Sequence, residues 1–114
     1  VVGGAGGSLV EAGGARVVDS GFPEEFKAEA LEAIGVLEDL QADASGKDWF
    51  FVHPAGGFGA WNKGERTGSY RDGGPVLVVD DQGESFISGA DLGVAFVDEI
   101  EHPKHSRENF AVGY

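Results

Sequence analysis

The stretch DWFFVHP at residues 48–54 decides the fold class, because it holds a continuous apolar run that ends at a proline. Such a run, free of polar alternation, is typical of a strand in a parallel sheet that is covered on both faces. Residues 109–113, NFAVG, predict a terminal strand. Val1 and Val2, placed directly before a glycine cluster, predict the end of a further buried strand.

Two amphipathic helices are predicted beside these strands. Pro23 suits a first helical turn, and from residue 23 to 40 the apolar residues recur at spacings of three and four: Phe26, Ala30, Ala33, Leu37 and Leu40. Ser88, with Asp91 three residues on, predicts the cap of a second helix that ends before Pro103. A wide apolar arc predicts that this second helix is largely buried.

The remaining segments connect these elements. Residues 55–74 form a glycine-rich arm that predicts a short strand at 67–71, and residues 76–79 and 85–87 predict a hairpin or a strand-loop-strand. Residues 16–18 predict a short extended piece. The order strand, helix, strand, arm, helix, strand predicts an α/β fold with a mainly parallel sheet. Because the predicted elements are few, they leave strand edges and helix faces uncovered. The sequence therefore predicts half of an α/β domain, cut or processed from a longer chain.

Composition excludes several classes of function. The 114 residues fit a single unit, with 20 acidic against 8 basic residues, a formal charge of −12 and no cysteine. The absence of cysteine excludes disulfides, thiolate nucleophiles and cysteine-based metal sites. The negative charge argues against binding nucleic acid or an anionic membrane. No apolar run approaches the ~20 residues of a spanning helix, and we expect a soluble, cytoplasmic protein.

The glycines near the start invite comparison with a dinucleotide-binding loop. That fingerprint needs G-x-G-x-x-G at the opening of a helix, whereas Gly4-Ala5-Gly6 has no third glycine in register. A flexible loop at a strand end is the alternative. Such a loop can still line a cofactor pocket, because ligands bind at the carboxyl ends of strands in open α/β sheets.

Two basic residues and one histidine pair have both a functional and a structural interpretation. His53, at a strand end, is either an acid or base in a cleft or a ring satisfied by backbone groups. Lys27 is either a ribose or substrate contact or a solvated partner of Glu24. His102 and His105 form H-x-x-H, but the intervening proline breaks the shared helical face that a metal pair needs, so no metal site is expected.

The end of the second predicted helix is acidic. Asp98, Glu99 and Glu101 oppose the helix macrodipole there. We expect the basic residues that follow to offset them, namely Lys104, His105 and Arg107.

The chain resembles the NAD(P)-dependent epimerase/NADH-flavin reductase-like proteins, atypical short-chain dehydrogenases of the NmrA-like kind. The resemblance runs in order along nearly the whole chain. It is carried by residues 1–6, 21–27, 48–49, 53–55 and 64–71, then by Ile87, Ser88, Asp91, residues 95–101, Pro103, His105 and residues 110–114. It implies the C-terminal half of a Rossmann-like, doubly wound domain that binds NADP or NAD across the strand ends. It also implies hydride transfer to a small acceptor such as a flavin or quinone.

The resemblance assigns roles to individual residues. It places Gly3, Gly4 and Ala5 beside the nicotinamide, Pro54 and Ala55 in the loop after the next strand, and Phe58 with His53 at the substrate wall. Lys27 falls near the lysine of the Tyr-x-x-x-Lys pair and is the catalytic candidate. Pro23 stands at the tyrosine position, so that motif supplies no tyrosine general acid.

Two alternatives belong to other classes of protein. A non-catalytic dinucleotide-binding redox sensor would fit the missing tyrosine. A half domain that pairs with a second copy through its open sheet edge would fit the few predicted strands. We expect the 114 residues alone to be inactive, because the helix N-terminus that holds a pyrophosphate is not among them.

Overall fold

The computed structural model describes residues 1–114 as two helices on opposite sides of a small sheet. The elements are α1 (Glu24–Ala42), β1 (Phe50–His53), β2 (Arg71–Asp72), α2 (Gly89–Glu101) and β3 (Glu108–Gly113), with single 3-10 turns at Ala5–Gly7 and Val17–Asp19. Phe51 and His53 face the α1 side, where Ala30 and Ile34 lie beside them. Phe50 faces the other side and packs on Phe96 of α2, with ring centroids 5.1 Å apart.

The sheet is mixed. β1 and β3 are parallel, with Phe50 opposite Glu108, and Val2 makes a parallel bridge to Val52 on the other side of β1. The predicted strands at 48–54 and 109–113 are confirmed. A mainly parallel sheet is not, because β2 runs antiparallel to β3. The arm joins β1 to β2 without a crossover helix, so β2 runs in the direction opposite to β1 and to its parallel neighbour β3.

Helix α1 confirms the amphipathic pattern at 23–40, but only part of its apolar face is buried. Ile34 and Leu37 are buried, whereas Phe26 is 52% exposed. The packing surface for α1 is the turn at Ala5–Gly7, and the contact begins at Ala30, which is level with Gly6. Phe26 lies one turn before that contact and therefore projects beyond it.

Helix α2 is capped as expected, since the Ser88 hydroxyl accepts a 3.0 Å hydrogen bond from the Asp91 backbone N–H. The core lies between α2 and the sheet and comprises Val52, Ala55, Ile87, Leu92, Ala95, Phe110 and Val112. The prediction that α2 is largely buried was wrong for Val97 and Ile100, which are 50% and 59% exposed. Neither helix of the protein is long and apolar enough to cross a bilayer.

Three local predictions were also wrong. Residues 76–79 and 85–87 form neither a hairpin nor a pair of strands. Leu77 donates its N–H to the Leu9 carbonyl, and the carbonyls of residues 85 and 86 accept from Gly57 and Tyr114. Residues 17–19 form a 3-10 turn rather than an extended piece. The predicted strand at 67–71 is reduced to the pairing that begins at Arg71. In the first and third cases the backbone groups bond to partners distant in sequence, whereas the turn at Val17–Asp19 is held by local bonds such as that from the Ser20 N–H to the Val17 carbonyl.

The first two residues pair with the sheet but are not buried. Val1 and Val2 are 47% and 50% exposed, because Val2 lies at the outer edge of the sheet and only β1 pairs with it. The expectation of a buried strand at this position was therefore wrong.

Candidate functional site

Three parallel segments end at the same edge of the sheet. Val2 leads into Gly3, β1 leads into Pro54, and β3 leads into Tyr114. The Gly3 N–H donates to the Val52 carbonyl at 2.9 Å, so the first glycines lie beside the end of β1. The structure thus brings together the predicted cofactor-binding segments at 3–5 and 54–55, at the edge where open α/β sheets bind ligands.

Three of the glycines at this edge have no room for a side chain because other residues pack closely against them, and Gly4 is the exception. A Cβ on Gly3 would lie 2.1 Å from the Phe51 ring, and one on Gly7 would lie 2.9 Å from the His53 ring. The same atom on Gly6 would lie 3.0 Å from the Ala30 methyl group. A Cβ on Gly4 would meet nothing within 4 Å. Gly4 is therefore the position where the loop leaves open space at the strand edge.

His53 connects this loop to β3. Its Nδ1–H donates to the Gly4 carbonyl at 2.9 Å, which leaves Nε2 to accept from the Asn109 side-chain amide at 3.0 Å. The side chain is buried, and burial lowers the pKa of His53 below its usual value. The neutral ring therefore fixes the Gly4 carbonyl, as in the structural interpretation of this histidine; its contact with substrate stays a prediction.

The other predicted site residues are divided between two places. Pro54 is buried and Ala55 is part of the core, and Phe58 packs against that core while remaining partly exposed. Lys27 lies on α1, where its Nζ is 4.0 Å from Glu24 Oε1. That contact is the one expected of a solvated ion pair, and the catalytic role of Lys27 stays a prediction.

A groove opens beyond Ala55, and its walls were not predicted from the sequence. Its volume is about 480 Å³, and its walls are Gly57, Asn62, Asp80, Glu84, Ser85, Phe86 and Tyr114. The Gly57 N–H donates to the Ser85 carbonyl at 2.7 Å, and the Tyr114 N–H donates to the Phe86 carbonyl at 3.0 Å. Residues 85–86 therefore join the segment after β1 to the end of β3, at the edge that carries Gly4.

A buried carboxylate holds the arm beside this groove. Asp91 is fully buried and accepts from the Thr67 hydroxyl at 2.7 Å, from the Gly68 N–H at 2.9 Å and from the Tyr114 hydroxyl. Burial alone would raise the pKa of Asp91, but these hydrogen bonds outweigh it and hold the pKa well below its usual range. The sequence indicated Asp91 only as a capping partner, since nothing in local spacing reveals donors in the distant arm.

A second buried acid joins α2 to β2. Glu99 accepts backbone hydrogen bonds from Lys104 and His105 at 2.7 and 2.8 Å, and its Oε1 lies 2.7 Å from His105 Nδ1. Burial alone would raise the pKa of Glu99, but the hydrogen bonds from His105 and Lys104 lower it overall. The other nitrogen, Nε2, lies 2.8 Å from Asp72. His105 contacts the acidic end of α2 through Glu99, whereas Lys104 contributes its backbone N–H; the expected charge compensation by the basic residues stays a prediction.

No group of three or more acidic or histidine side chains is arranged to hold a metal ion. His105 has its two nitrogens directed at Glu99 and Asp72 and stacks on Phe110 with ring centroids 3.8 Å apart.

No protein-family model matches the chain. The uncharacterized protein YwnB of Bacillus subtilis is 43% identical over 114 residues, which cover 98% of this chain and 52% of YwnB. The chain thus spans about half the length of the curated relative that it matches.

The chain also superposes on about half of several solved structures. A "putative NADH-flavin reductase" from Streptococcus pneumoniae superposes with a TM-score of 0.89 at 36% identity, covering 99% of this chain and 53% of that chain. A "putative epimerase" from Bacteroides thetaiotaomicron gives 0.86 at 40% identity, covering 99% and 51%. A "putative exported protein" from Burkholderia pseudomallei gives 0.86 at 41% identity, covering 100% and 53%.

The chain has the fold of about half of each of these solved structures. The predicted resemblance to NADH-flavin reductase-like and epimerase-like proteins is confirmed at that coarse level, while the NmrA-like assignment stays a prediction. The name of the Burkholderia protein includes the word exported, so the expected cytoplasmic location also stays a prediction.

Proposed function

We propose that this chain provides the nicotinamide and acceptor side of an NAD(P)H-dependent oxidoreductase. The observation that carries the proposal is the open space at Gly4, between glycines that are closed by packing, at an edge that continues into the groove beyond Ala55. The similarity to a protein named for NADH-flavin reduction supports the reaction type. The redox-sensor alternative is not favoured, because the neighbours are named as a reductase and an epimerase.

The residues present fit one end of the cofactor. The backbone at 3–5 offers an open position against which a flat ring can lie, and the neutral His53 ring holds the Gly4 carbonyl in place. The turn at Ala5–Gly7 has only three residues, so it offers no helix N-terminus for a pyrophosphate. We therefore assign only the nicotinamide end to this chain, with either NADP or NAD as the source.

The chemistry follows from these positions. When bound, a reduced nicotinamide supplies a hydride. Gly4 and His53 position the ring, the partly exposed Phe58 forms an apolar wall beside it, and the groove holds the acceptor, a flavin, a quinone or a similar small molecule. The groove is open to water, so the acceptor can gain its proton from solvent. This agrees with the absence of a tyrosine at position 23. We retain Lys27 as the contact to ribose or substrate.

A titration with NADPH and NADH, followed by protein fluorescence, tests the proposal. We expect saturable binding, and we expect Gly4→Val to weaken it at least about tenfold by filling the open position. Gly93→Val on α2 is the matched control, because a Cβ at either glycine meets nothing within 4 Å. Equal affinities for both variants, or no binding at millimolar nicotinamide cofactor, would overturn the assignment. Lys27→Met tests the predicted ribose contact in the same titration.

A further inference from the structure

We propose that the groove lined by Phe86 and Tyr114 binds an uncharged planar acceptor and discriminates against the same ring system when it carries a phosphate. This inference rests on the proposed function and narrows its substrate class. It concerns the chemistry of the groove walls, which is independent of the nicotinamide position at Gly4.

The size and walls of the groove suit a flat ring. About 480 Å³ lies within the range of roughly 300–1,000 Å³ that small-molecule sites occupy. Phe86 and Tyr114 form an aromatic wall, with their centroids 5.6 Å apart in an edge-to-face arrangement. Asn62 and Ser85 add polar groups that can bond to carbonyl or ring nitrogen atoms at the edge of a bound ring.

The aromatic wall is held in place before any ligand binds. The Tyr114 hydroxyl donates to the buried Asp91 carboxylate, and the Tyr114 N–H bonds to the Phe86 carbonyl. Gly64 lies so close to the Phe86 ring that a Cβ there would approach it to 2.6 Å. A wall fixed in this way loses little side-chain freedom on binding, which favours affinity.

The charge of the groove determines which ring it accepts. Among the residues that line the groove, Asp80, Glu84 and Tyr114 are ionisable and none is basic. The guanidinium of Arg71, beside this wall, donates to the backbone carbonyls of Tyr114 and Val79. Asp80 uses Oδ1 to accept the backbone N–H groups of Gln82 and Glu84, both at 2.9 Å. The Glu84 carboxylate is exposed and accepts no hydrogen bond. A phosphate, with about −1.5 to −2 charge at pH 7, would enter this groove against two carboxylates and a chain of net charge −12.

Riboflavin and FMN provide matched probes, because they share one ring system and differ by a single phosphate. We expect titration of the 114-residue chain, followed by flavin fluorescence without nicotinamide, to show riboflavin binding about tenfold tighter than FMN at low ionic strength. The ratio is expected to shrink in 1 M salt, where the screening length falls to about 3 Å.

Variants with neutral side chains distinguish the effect of the groove carboxylates on flavin binding from the effect of the net charge of the chain. Asp80→Asn with Glu84→Gln should bring the two affinities within about twofold, and the asparagine keeps the Oδ1 acceptor of the turn. The control Glu25→Gln with Glu29→Gln makes the same change in net charge on exposed positions of α1 and should leave the ratio unchanged.

Three outcomes would overturn the inference: equal wild-type affinities, no binding of either flavin, or an equal effect of the α1 control. Nicotinamide binding is measured separately. If Gly4→Val abolishes nicotinamide binding and leaves the discrimination between the two flavins unchanged, both proposals are supported. If the wild-type chain binds nicotinamide but neither flavin, only the inference about the groove is refuted.

Discussion

Gly3→Ala should destabilise the fold, because the structure leaves no room for a methyl group at that position. A Cβ there would lie 2.1 Å from Cε1 and 2.2 Å from Cζ of Phe51, well inside the ~3.5 Å at which carbon atoms pack. Phe51 is only 1% exposed, so its ring has to move more than about 1 Å within a packed interior. Overpacking of this kind costs about 1–3 kcal/mol.

Gly4→Ala is the matched neighbour for this measurement. Gly4 has extended backbone with φ of −120°, and a Cβ there meets nothing within 4 Å. We expect either no change or a gain of about 0.4–1 kcal/mol from the reduced freedom of the unfolded chain. Urea unfolding followed by tryptophan fluorescence gives both values, provided that the denaturant slope is the same for each variant.

A double-mutant cycle with Phe51→Leu identifies the atoms responsible. The shorter side chain makes room for the new methyl group, so Gly3→Ala should cost at least about 1 kcal/mol less in that background. If Gly3→Ala costs under about 0.5 kcal/mol, or costs the same in both backgrounds, the packing explanation of this glycine is refuted.

Three further predictions concern α2 and the arm. Asp91→Asn should release the arm and speed tryptic cleavage at Arg66, because the amide cannot accept all the hydrogen bonds that the carboxylate accepts. The pKa of Glu99 is lower in the folded protein than its ordinary value of 4.5, so the ionised carboxylate stabilises the fold fully above pH 4.5. This stabilisation is lost as the pH falls through the lowered pKa. In Glu99→Gln the urea midpoint should therefore fall less steeply below pH 4.5 than in the wild type. Gly93→Ala should raise stability by about 0.5–1 kcal/mol, because Gly93 is an exposed glycine within a helix.

The helices and the two main strands were predictable because their signals are local. The spacing of Ala30, Ala33 and Leu37 indicates α1, and the apolar run at 48–54 indicates β1, whatever else the chain does. The predicted segments of the candidate site also came together, since parallel strands end at one edge. Which atoms meet at that edge was not predictable, because it depends on how the loops pack.

The sequence by itself therefore determined the α/β class, the two helices and the strand ends that carry the candidate site. Tertiary structure decided why the glycines stand where they do, since Gly3 is explained by Phe51 and Gly6 by Ala30, both distant in the chain. It also decided that Asp91 is buried, because the stabilising donors of Thr67 come from 24 residues away. Periodicity reports which face of an element is apolar, whereas a buried charge or a packed glycine depends on partners that only the folded chain brings into contact.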